Sequence, residues 1–372
     1  MNYKVFTSES VASGHPDKIC DQISDAILDA ALAQDTNTHA GIETFVTKDF
    51  CVVGGEVKSR AKVDFEKIAR DTIKELGYTS PEFGFSHKSP VKILIHQQSP
   101  EIASGVDDGG AGDQGMMFGF ATNQTKDFMP LPISIAHRLV EKLDQVREKG
   151  AVPYLRPDGK SEVTVHYENG QPKKVDKVVL AAAHKPKVTN TQIKEDLYQQ
   201  VVKPVLGEFG YKLSKKDFIV NGTGKWIIPG PASDAGLTGR KIIVDSYGGY
   251  GRAGGGAFSG KDPTKVDRSA AYAARYIAKN VVAASLADAC EVQLAYVIGQ
   301  RQPITKALET FGTEKKRLSV IEDFASNLMD LSVPGILSAL NLRRPIYRET
   351  ARYGHFGRDG FPWEKVENSP SI

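Results

Sequence analysis

Apolar residues recur every three to four positions in six stretches of the chain, which is the spacing of an amphipathic helix. In the first stretch Ile19, Ile23 and Ile27 share one face, which predicts a helix from residue 16 to about residue 33. The same spacing predicts helices within residues 63–78, 133–150, 190–211, 266–288 and 316–331.

Short runs of β-branched and aromatic residues lie between these stretches and predict strands. They cover residues 43–48, 50–57, 91–97, 162–168, 177–184, 241–247 and 291–299. Asn169-Gly170 falls between two such runs and predicts a hairpin with a two-residue turn.

The order of the predicted elements repeats along the chain. Two strands precede a long helix near residues 40–78, again near 162–210 and less clearly near 290–330. We therefore predict an α+β fold of three similar units, each a sheet with helices on one face, in a pseudo-threefold arrangement. The predicted domains are residues 1–100, 111–229 and 230–372, and the spatial domains can interleave these segments.

The composition, with 40% hydrophobic and 25% charged residues, is that of a soluble globular protein. A net charge of +3 gives no indication of nucleic-acid or membrane binding. Cys20, Cys51 and Cys290 are widely spaced, which favours reduced thiols in a cytoplasmic protein. The first residues lack the apolar core of a signal peptide, and no apolar run is long enough to span a bilayer.

A glycine-rich run precedes the fifth predicted helix and contains a near match to the Walker A phosphate loop. Gly255 to Lys261 fit its pattern, but Asp262 stands where Ser or Thr would bind Mg²⁺. We expect Asp262 to be a helix N-cap, with Pro263 at the first helical position. The predicted order of strand 241–247, glycine loop and helix favours an anion site over a flexible loop before a capped helix.

A second glycine run, GAGDQG at residues 110–115, matches the dinucleotide-binding pattern. That pattern requires a strand directly before it and a helix directly after it, and neither is predicted here. We therefore interpret the run as a mobile loop that carries Asp113 into a site.

Charged residues gather at the start of the first predicted helix. Asp17, Asp21, Asp25 and Asp29 form a ladder of like charge at four-residue spacing, an arrangement that is unfavourable without compensation. The ladder is either a solvated face or part of a site in which Asp17 binds a metal. In the second case, His15 donates to a bound phosphate.

Four stretches together resemble the S-adenosylmethionine synthetase (methionine adenosyltransferase) family, and the resemblance extends from Phe6 to about Lys365. The stretches are residues 7–30 with the motif GHPDK, 110–123 with GAGDQG, 236–249 with GRKIIVD, and 254–276 with GGGAFSGKDP. The resemblance implies that ATP and L-methionine form S-adenosylmethionine by attack of the methionine sulfur on C5′ of ATP. It also implies that the released triphosphate is cleaved to diphosphate and phosphate.

The resemblance also implies a role for each residue that matches a family motif. Catalytic roles are expected for His15, Asp113, Lys160, Arg240, Lys261 and Lys265. ATP contacts are expected from His15, Asp158, Gly159, Lys160, Lys225, Trp226, Asp234, Arg240, Lys241, Ala257 and Lys261. Methionine contacts are expected from Glu56, Gln98, Asp234 and Lys265. Two Mg²⁺ ions per site are expected at Asp17 and Asp267, and K⁺ at Glu43.

Members of this family are dimers or dimers of dimers whose sites lie between subunits. We therefore expect a homodimer or homotetramer that joins through the open faces of the sheets.

Two departures from the family pattern concern gating and ATP binding. The loop at residues 105–112 is shorter than in typical bacterial members, which affects closure over the site. Lys225-Trp226 replaces the usual Arg-Phe, and lysine lacks the bidentate fork of arginine, although Trp226 can still stack on adenine.

Two other functions remain open from the residues alone. One is a kinase or ATPase that uses the near-Walker loop, although no H-R-D or D-F-G motif is present. The other is a nucleotide-binding regulatory module without turnover.

Overall fold

The computed structural model describes residues 3–97 and 109–367, in which helices accompany three open sheets. This confirms an α+β fold built from repeated units. The strands are β1 (Val5–Val11), β2 (His39–Thr47), β3 (Phe50–Lys58), β4 (Val91–His96), β5 (Gly115–Thr122), β6 (Leu155–Glu168), β7 (Gln171–His184), β8 (Phe218–Val220), β9 (Gly236–Leu237), β10 (Ala289–Tyr296) and β11 (Thr305–Glu309). The helices are α1 (Pro16–Leu32), α2 (Phe65–Glu75), α3 (Leu131–Glu148), α4 (Asn190–Leu197), α5 (Lys203–Glu208), α6 (Ile242–Asp245), α7 (Val266–Ala283), α8 (Leu318–Ser326) and α9 (Val333–Ala339).

Each sheet combines strands from distant parts of the chain. The strand orders are β4-β3-β2-β9, β1-β6-β7-β8 and β11-β10-β5. β1 pairs antiparallel with β6, β5 with β10, and β9 with β2. The sheets therefore interleave the N-terminal, central and C-terminal segments.

Helices cover one face of each sheet. α1 packs on β2, α3 on β6, and α7 on both β5 and β10. Along β2 the side chains alternate as the pleat requires: Ala40, Ile42 and Val46 are buried under α1, whereas Glu43 and Phe45 are exposed. The first sheet thus has an open face, defined by Gly41, Glu43 and Phe45 of β2 and their cross-strand neighbours on β3 and β4.

Most predicted elements are confirmed. The amphipathic stretches form α1, α2, α3, the α4–α5 region, α7 and α8, and a π-helical turn at Tyr198–Val202 joins α4 to α5. Asn169 and Gly170 both have positive φ angles, 52° and 76°, as a two-residue turn between β6 and β7 requires. Cys20, Cys51 and Cys290 are free and buried.

Two local predictions are wrong. Residues 241–247, predicted as a strand, instead contain the short helix α6, whose Asp245 is held in the interior by Lys18. That tertiary ion pair outweighs the strand propensity of Ile242, Ile243 and Val244.

Asp262 is not a helix N-cap, because α7 begins at Val266, three residues after Pro263. The side chain of Asp262 is bonded in the preceding turn instead. Strands β1, β5, β8, β9 and β11 and helix α9 were not predicted.

No helix in the described part of the chain is both long and apolar enough to cross a membrane.

Candidate active site

A cavity of about 620 Å³ lies on the open face of the first sheet. Gly41, Glu43, Phe45, Gly54 and Glu56 form its floor. Its remaining walls come from the loop that carries Asp113, from β9 and from the glycine loop that leads into α7. The predicted site residues that line it are Glu43, Glu56, Asp113, Ala257, Lys261, Lys265 and Asp267.

Glu43 and Glu56 on the floor and Asp113 on the wall bring carboxylates to the cavity. Glu56 lies above Gly41: a Cβ there would be 2.7 Å from Oε1 of Glu56, so a side chain at this position would displace the Glu56 carboxylate. Glu43 is exposed on the same face. Asp113 accepts a 2.7 Å hydrogen bond from the backbone N–H of Gln114. The floor therefore suits cations, such as an ammonium group or a metal ion.

The glycine loop provides the opposite charge pattern, with lysines beside a carboxylate. Nζ of Lys261 is 2.6 Å from Oδ2 of Asp267. The backbone of Gly256 passes directly over this carboxylate, since a Cβ at Gly256 would lie 2.0 Å from Cγ of Asp267. Gly260 anchors the loop: its N–H donates to Asp25 and its carbonyl accepts from the N–H of Ile42.

Asp262 does not face a phosphate. It is fully buried and accepts hydrogen bonds from the N–H groups of Ala40 and Thr264, each at 2.8 Å. Nζ of Lys265 also lies 2.8 Å from its carboxylate. Although burial alone would raise it, the ammonium of Lys265 lowers the pKa of Asp262 below its ordinary value. The residue at the Walker Ser/Thr position therefore holds the loop against β2.

A second charged cluster surrounds the start of α1. His15 is the N-cap of α1, and its Nδ1 accepts the backbone N–H of Asp17 at 3.2 Å. Burial and the positive charge of Lys241 lower the pKa of His15 to about 3. The imidazole is therefore neutral at physiological pH, and because Nδ1 accepts, its proton is on Nε2.

Asp17 is buried in this second cluster and bonded to cations. Its carboxylate is bonded to the ammonium of Lys241 and accepts the N–H of Leu237 at 3.0 Å. Nε of Arg240 lies 3.7 Å away. Burial alone would raise the pKa of Asp17, but the hydrogen bonds from Lys241 and Leu237 lower it. Asp17 thus remains ionised and available to a metal ion.

The segment RPDGK brings three more predicted residues to the second cluster. The backbone carbonyl of Gly159 accepts the N–H of Ala12, which is three residues before His15. The positive charge of Lys160 adds to the lowering of the pKa of His15 by burial and Lys241. Asp158 accepts the N–H of Gly230 at 2.7 Å, and burial raises its pKa to about 8.

The segment 225–234 lies next to Asp158 through this Gly230 contact. The N–H of Asp234 donates to the carbonyl of Gly230 at 3.2 Å. The indole N–H of Trp226 donates to the carbonyl of Ile228, and Lys225 is exposed.

The acidic ladder on α1 is not a solvated face. Asp17, Asp21 and Asp25 are buried and Asp29 is partly buried, and each carboxylate has a partner. The partners are Lys241 for Asp17, Lys18 for Asp21, Arg268 for Asp25, and the N–H groups of Tyr347 and Arg348 for Asp29. These partners compensate the like charges. The interpretation of the ladder as a solvated face is therefore wrong.

The predicted site residues thus fall into two groups. None of those in the second cluster lines the cavity, and Gln98 lies outside the described residues. Sequence reasoning missed Gly41 and Gly256, whose missing side chains leave room for Glu56 and Asp267. It also missed the buried partners Lys18 and Asp245. The three consecutive glycines at 254–256 indicate a close approach of the backbone at Gly256, whereas no sequence pattern marks Gly41.

Comparison with known proteins finds one family along the whole chain. Models of the N-terminal, central and C-terminal domains of S-adenosylmethionine synthetase match residues 3–100, 108–226 and 228–365. The chain is 51% identical to the S-adenosylmethionine synthase of Treponema denticola, over 100% of this chain and 98% of the relative. It is also 51% identical to the S-adenosylmethionine synthase of Clostridium tetani, over 99% and 98%.

Proposed function

Because the chain belongs to the S-adenosylmethionine synthetase family, we propose that its two charged clusters are the two halves of one active site, brought together by two copies of the chain. The enzyme is a methionine adenosyltransferase, which forms S-adenosylmethionine from ATP and methionine.

One observation carries the proposal: the two clusters have the same charged pair. Asp17 is bonded to Lys241 in the cluster at α1, and Asp267 is bonded to Lys261 at the cavity. In each pair, a predicted metal ligand is bonded to a lysine that is predicted to contact ATP. Facing one another, the pairs would supply two carboxylates to metal ions and two ammonium groups to one triphosphate.

The reaction needs alignment and charge stabilisation rather than a base. The sulfur of methionine carries no proton, so its attack on C5′ releases none. The leaving triphosphate carries about four negative charges, which the lysines, Arg240 and the Nε2–H of His15 can stabilise. In the ligand-free protein His15 is neutral, and its Nε2–H can donate a hydrogen bond to the leaving group without a preceding proton transfer.

The donor set fits magnesium bound together with a nucleotide. Within residues 3–97 and 109–367, no three His, Cys, Asp or Glu side chains form a metal cluster. Magnesium commonly takes one or two carboxylates and completes its shell with phosphate and water, which is what Asp17 and Asp267 allow. The reaction uses a divalent metal, and when bound, Mg²⁺ would neutralise triphosphate charge. For K⁺ we propose Glu43.

The methionine half of the site is proposed to lie in the cavity. Glu56 would bind the substrate ammonium and Lys265 its carboxylate, with Asp113 nearby. The second cluster would hold ATP, with Asp158, Gly159, Lys160 and Asp234 toward the nucleoside.

The open face of the first sheet supports assembly as a dimer or a dimer of dimers. Phe45 and Leu94 on this face are 39% and 52% exposed. Large apolar side chains exposed on a sheet face are typical of an interface, and a second copy would also cover the cavity.

Complementation between two defective variants tests the shared site. His15→Asn disables the second cluster and Lys261→Ala disables the cavity. If the site is shared, each mixed dimer contains one intact site, and co-expression recovers about a quarter of wild-type activity. No recovery in mixed dimers would place each site within one chain. The assay detects S-adenosylmethionine, diphosphate and phosphate; release of ADP would favour a kinase.

A further inference from the structure

Two ion pairs of opposite polarity link α1 to the segment that contains α6. In the outer pair, the carboxylate of Asp17 bonds to the ammonium of Lys241. In the inner pair, the ammonium of Lys18 bonds to the carboxylate of Asp245. Each element thus carries one negative and one positive side chain close together, and each of these side chains pairs with the opposite charge on the other element.

The two pairs differ in burial. Lys18 and Asp245 are each only 1% exposed, and Nζ of Lys18 also lies 3.0 Å from Asp21. Lys241 is partly exposed, and Arg240 beside it is exposed. Both side chains of the inner pair are therefore closed to ligands, whereas the outer pair is open to them at Lys241.

The outer pair cannot hold the two elements together during catalysis. Under the proposed function, Asp17 binds a metal ion and Lys241 binds triphosphate, so the bond between them opens when the ligands enter. The inner pair touches neither ligand and can remain intact. Loss of the outer bond thus leaves Lys18 and Asp245 as the charged contact between the start of α1 and α6.

We propose that Lys18 and Asp245 are positioning residues, which keep Asp17 and Lys241 at the spacing that one metal–triphosphate complex requires. The inference rests on the proposed function of Asp17 and Lys241. Misplacement of binding groups by about 1 Å is enough to cost up to a hundredfold in rate or affinity. The inner pair is thus part of the binding geometry as well as of the core.

Asp245→Ala is the most direct test, because Lys18 retains Asp21 as a balanced partner within α1. We expect the variant to bind the magnesium complex of a non-hydrolysable β,γ-imido ATP analogue about tenfold more weakly in calorimetry. Asp245→Asn keeps an oxygen that accepts from Lys18, so we expect it to restore affinity to within about threefold of wild type.

Glu364→Ala is the matched control, because it truncates a buried, ion-paired carboxylate to alanine as Asp245→Ala does. Glu364 is a buried carboxylate paired with Arg275 at 2.9 Å, on the C-terminal segment. It should lower the melting temperature as Asp245→Ala does, but leave nucleotide affinity unchanged. Wild-type affinity in Asp245→Ala, or equal weakening in the Ala and Asn variants, would overturn the proposal.

If Asp245→Ala does not fold, Lys18→Met combined with Asp21→Asn and Asp245→Leu removes all three charges together, so that no buried charge is left without a partner. We then expect the same tenfold loss of affinity for the magnesium complex of the ATP analogue. The binding measurement requires no turnover. A wild-type protein that binds the analogue but forms no S-adenosylmethionine would contradict the proposed function and leave this comparison valid.

Discussion

Nζ of Lys261 lies 2.6 Å from Oδ2 of Asp267, so the proposed triphosphate ligand and the proposed magnesium ligand are bonded to each other. Each must exchange its partner when a metal–nucleotide complex binds. Metal alone would leave the ammonium without a partner, and triphosphate alone would leave the carboxylate without one. The two ligands should therefore bind cooperatively.

Lys261→Ala should change the affinity for triphosphate and the affinity for metal in opposite directions. Loss of a charge-assisted contact weakens triphosphate binding by about 1.5–3 kcal/mol. The same change frees Asp267, so Mn²⁺ without nucleotide should bind more tightly, as measured by electron paramagnetic resonance. Lys203→Ala, on the exposed side of α5, is the control. Weaker Mn²⁺ binding in Lys261→Ala would contradict the exchange.

His15→Asn should slow synthesis while preserving the fold. Asparagine is a good N-cap and can accept the N–H of Asp17, but it lacks a donor at the position of Nε2. We expect the single-turnover rate of S-adenosylmethionine formation to fall about 10²-fold or more, as for loss of one donor to a developing charge. The melting temperature should stay near that of wild type. An unchanged single-turnover rate would exclude His15 from the chemical step.

Gly256→Ala should displace Asp267 and impair metal–nucleotide binding. The new Cβ would lie 2.0 Å from Cγ of Asp267, so the carboxylate must move. Gly255→Ala is a matched control, because nothing lies within 4 Å of a Cβ there. Calorimetry with the magnesium complex of the ATP analogue compares the two variants. Equal affinities would mean that Asp267 is not a ligand, or that the loop adjusts.

Stability should decrease as pH falls below about 6.5, partly because of His137. Burial lowers the pKa of His137 to about 3. Between these two pH values the unfolded chain binds a proton that the folded chain does not bind. Each decrease of one pH unit therefore lowers the free energy of unfolding by about 1.4 kcal/mol per such histidine. His137→Gln should therefore show a smaller loss of urea midpoint between pH 7 and pH 5.5. His166→Gln, at a partly exposed position, serves as the control.

Leu94→Asp should dissociate the assembly and abolish activity. Leu94 is 52% exposed on the open sheet face, and a carboxylate there would be desolvated by a second copy. Sedimentation velocity should show monomers at concentrations where the wild type is a dimer or larger. Leu318→Asp, on α8 at 46% exposure, should leave assembly intact. A dimeric, active Leu94→Asp enzyme would place the interface elsewhere.

The sequence predicted best where a local pattern decides the structure. Helical spacing located α1 and α7, and Asn169-Gly170 located a turn that only positive φ angles can make. The short helix α6 was missed because its Ile-Ile-Val run favours a strand and only the distant Lys18 explains the helix. The acidic ladder was ambiguous for the same reason, since Arg268 and Lys241 approach it from distant segments.

The candidate site shows the same limit. Family motifs indicated which residues matter, but no spacing indicated that Asp17 and Asp267 belong to separate clusters. That separation depends on tertiary contacts. Asp262 is a further case, because its position in the glycine loop suggested a cap, whereas its bond to Ala40 on β2 determines its role.

The pairing of β1 with β6 has a consequence for synthesis on the ribosome. Val5–Val11 leaves the exit tunnel long before Leu155–Glu168, its antiparallel neighbour, has been translated. β5 likewise waits for β10, so the nascent protein carries unpaired strand edges through most of its elongation. Part of the native assembly therefore waits until late in elongation, and truncated products should depend on chaperones and be prone to aggregation.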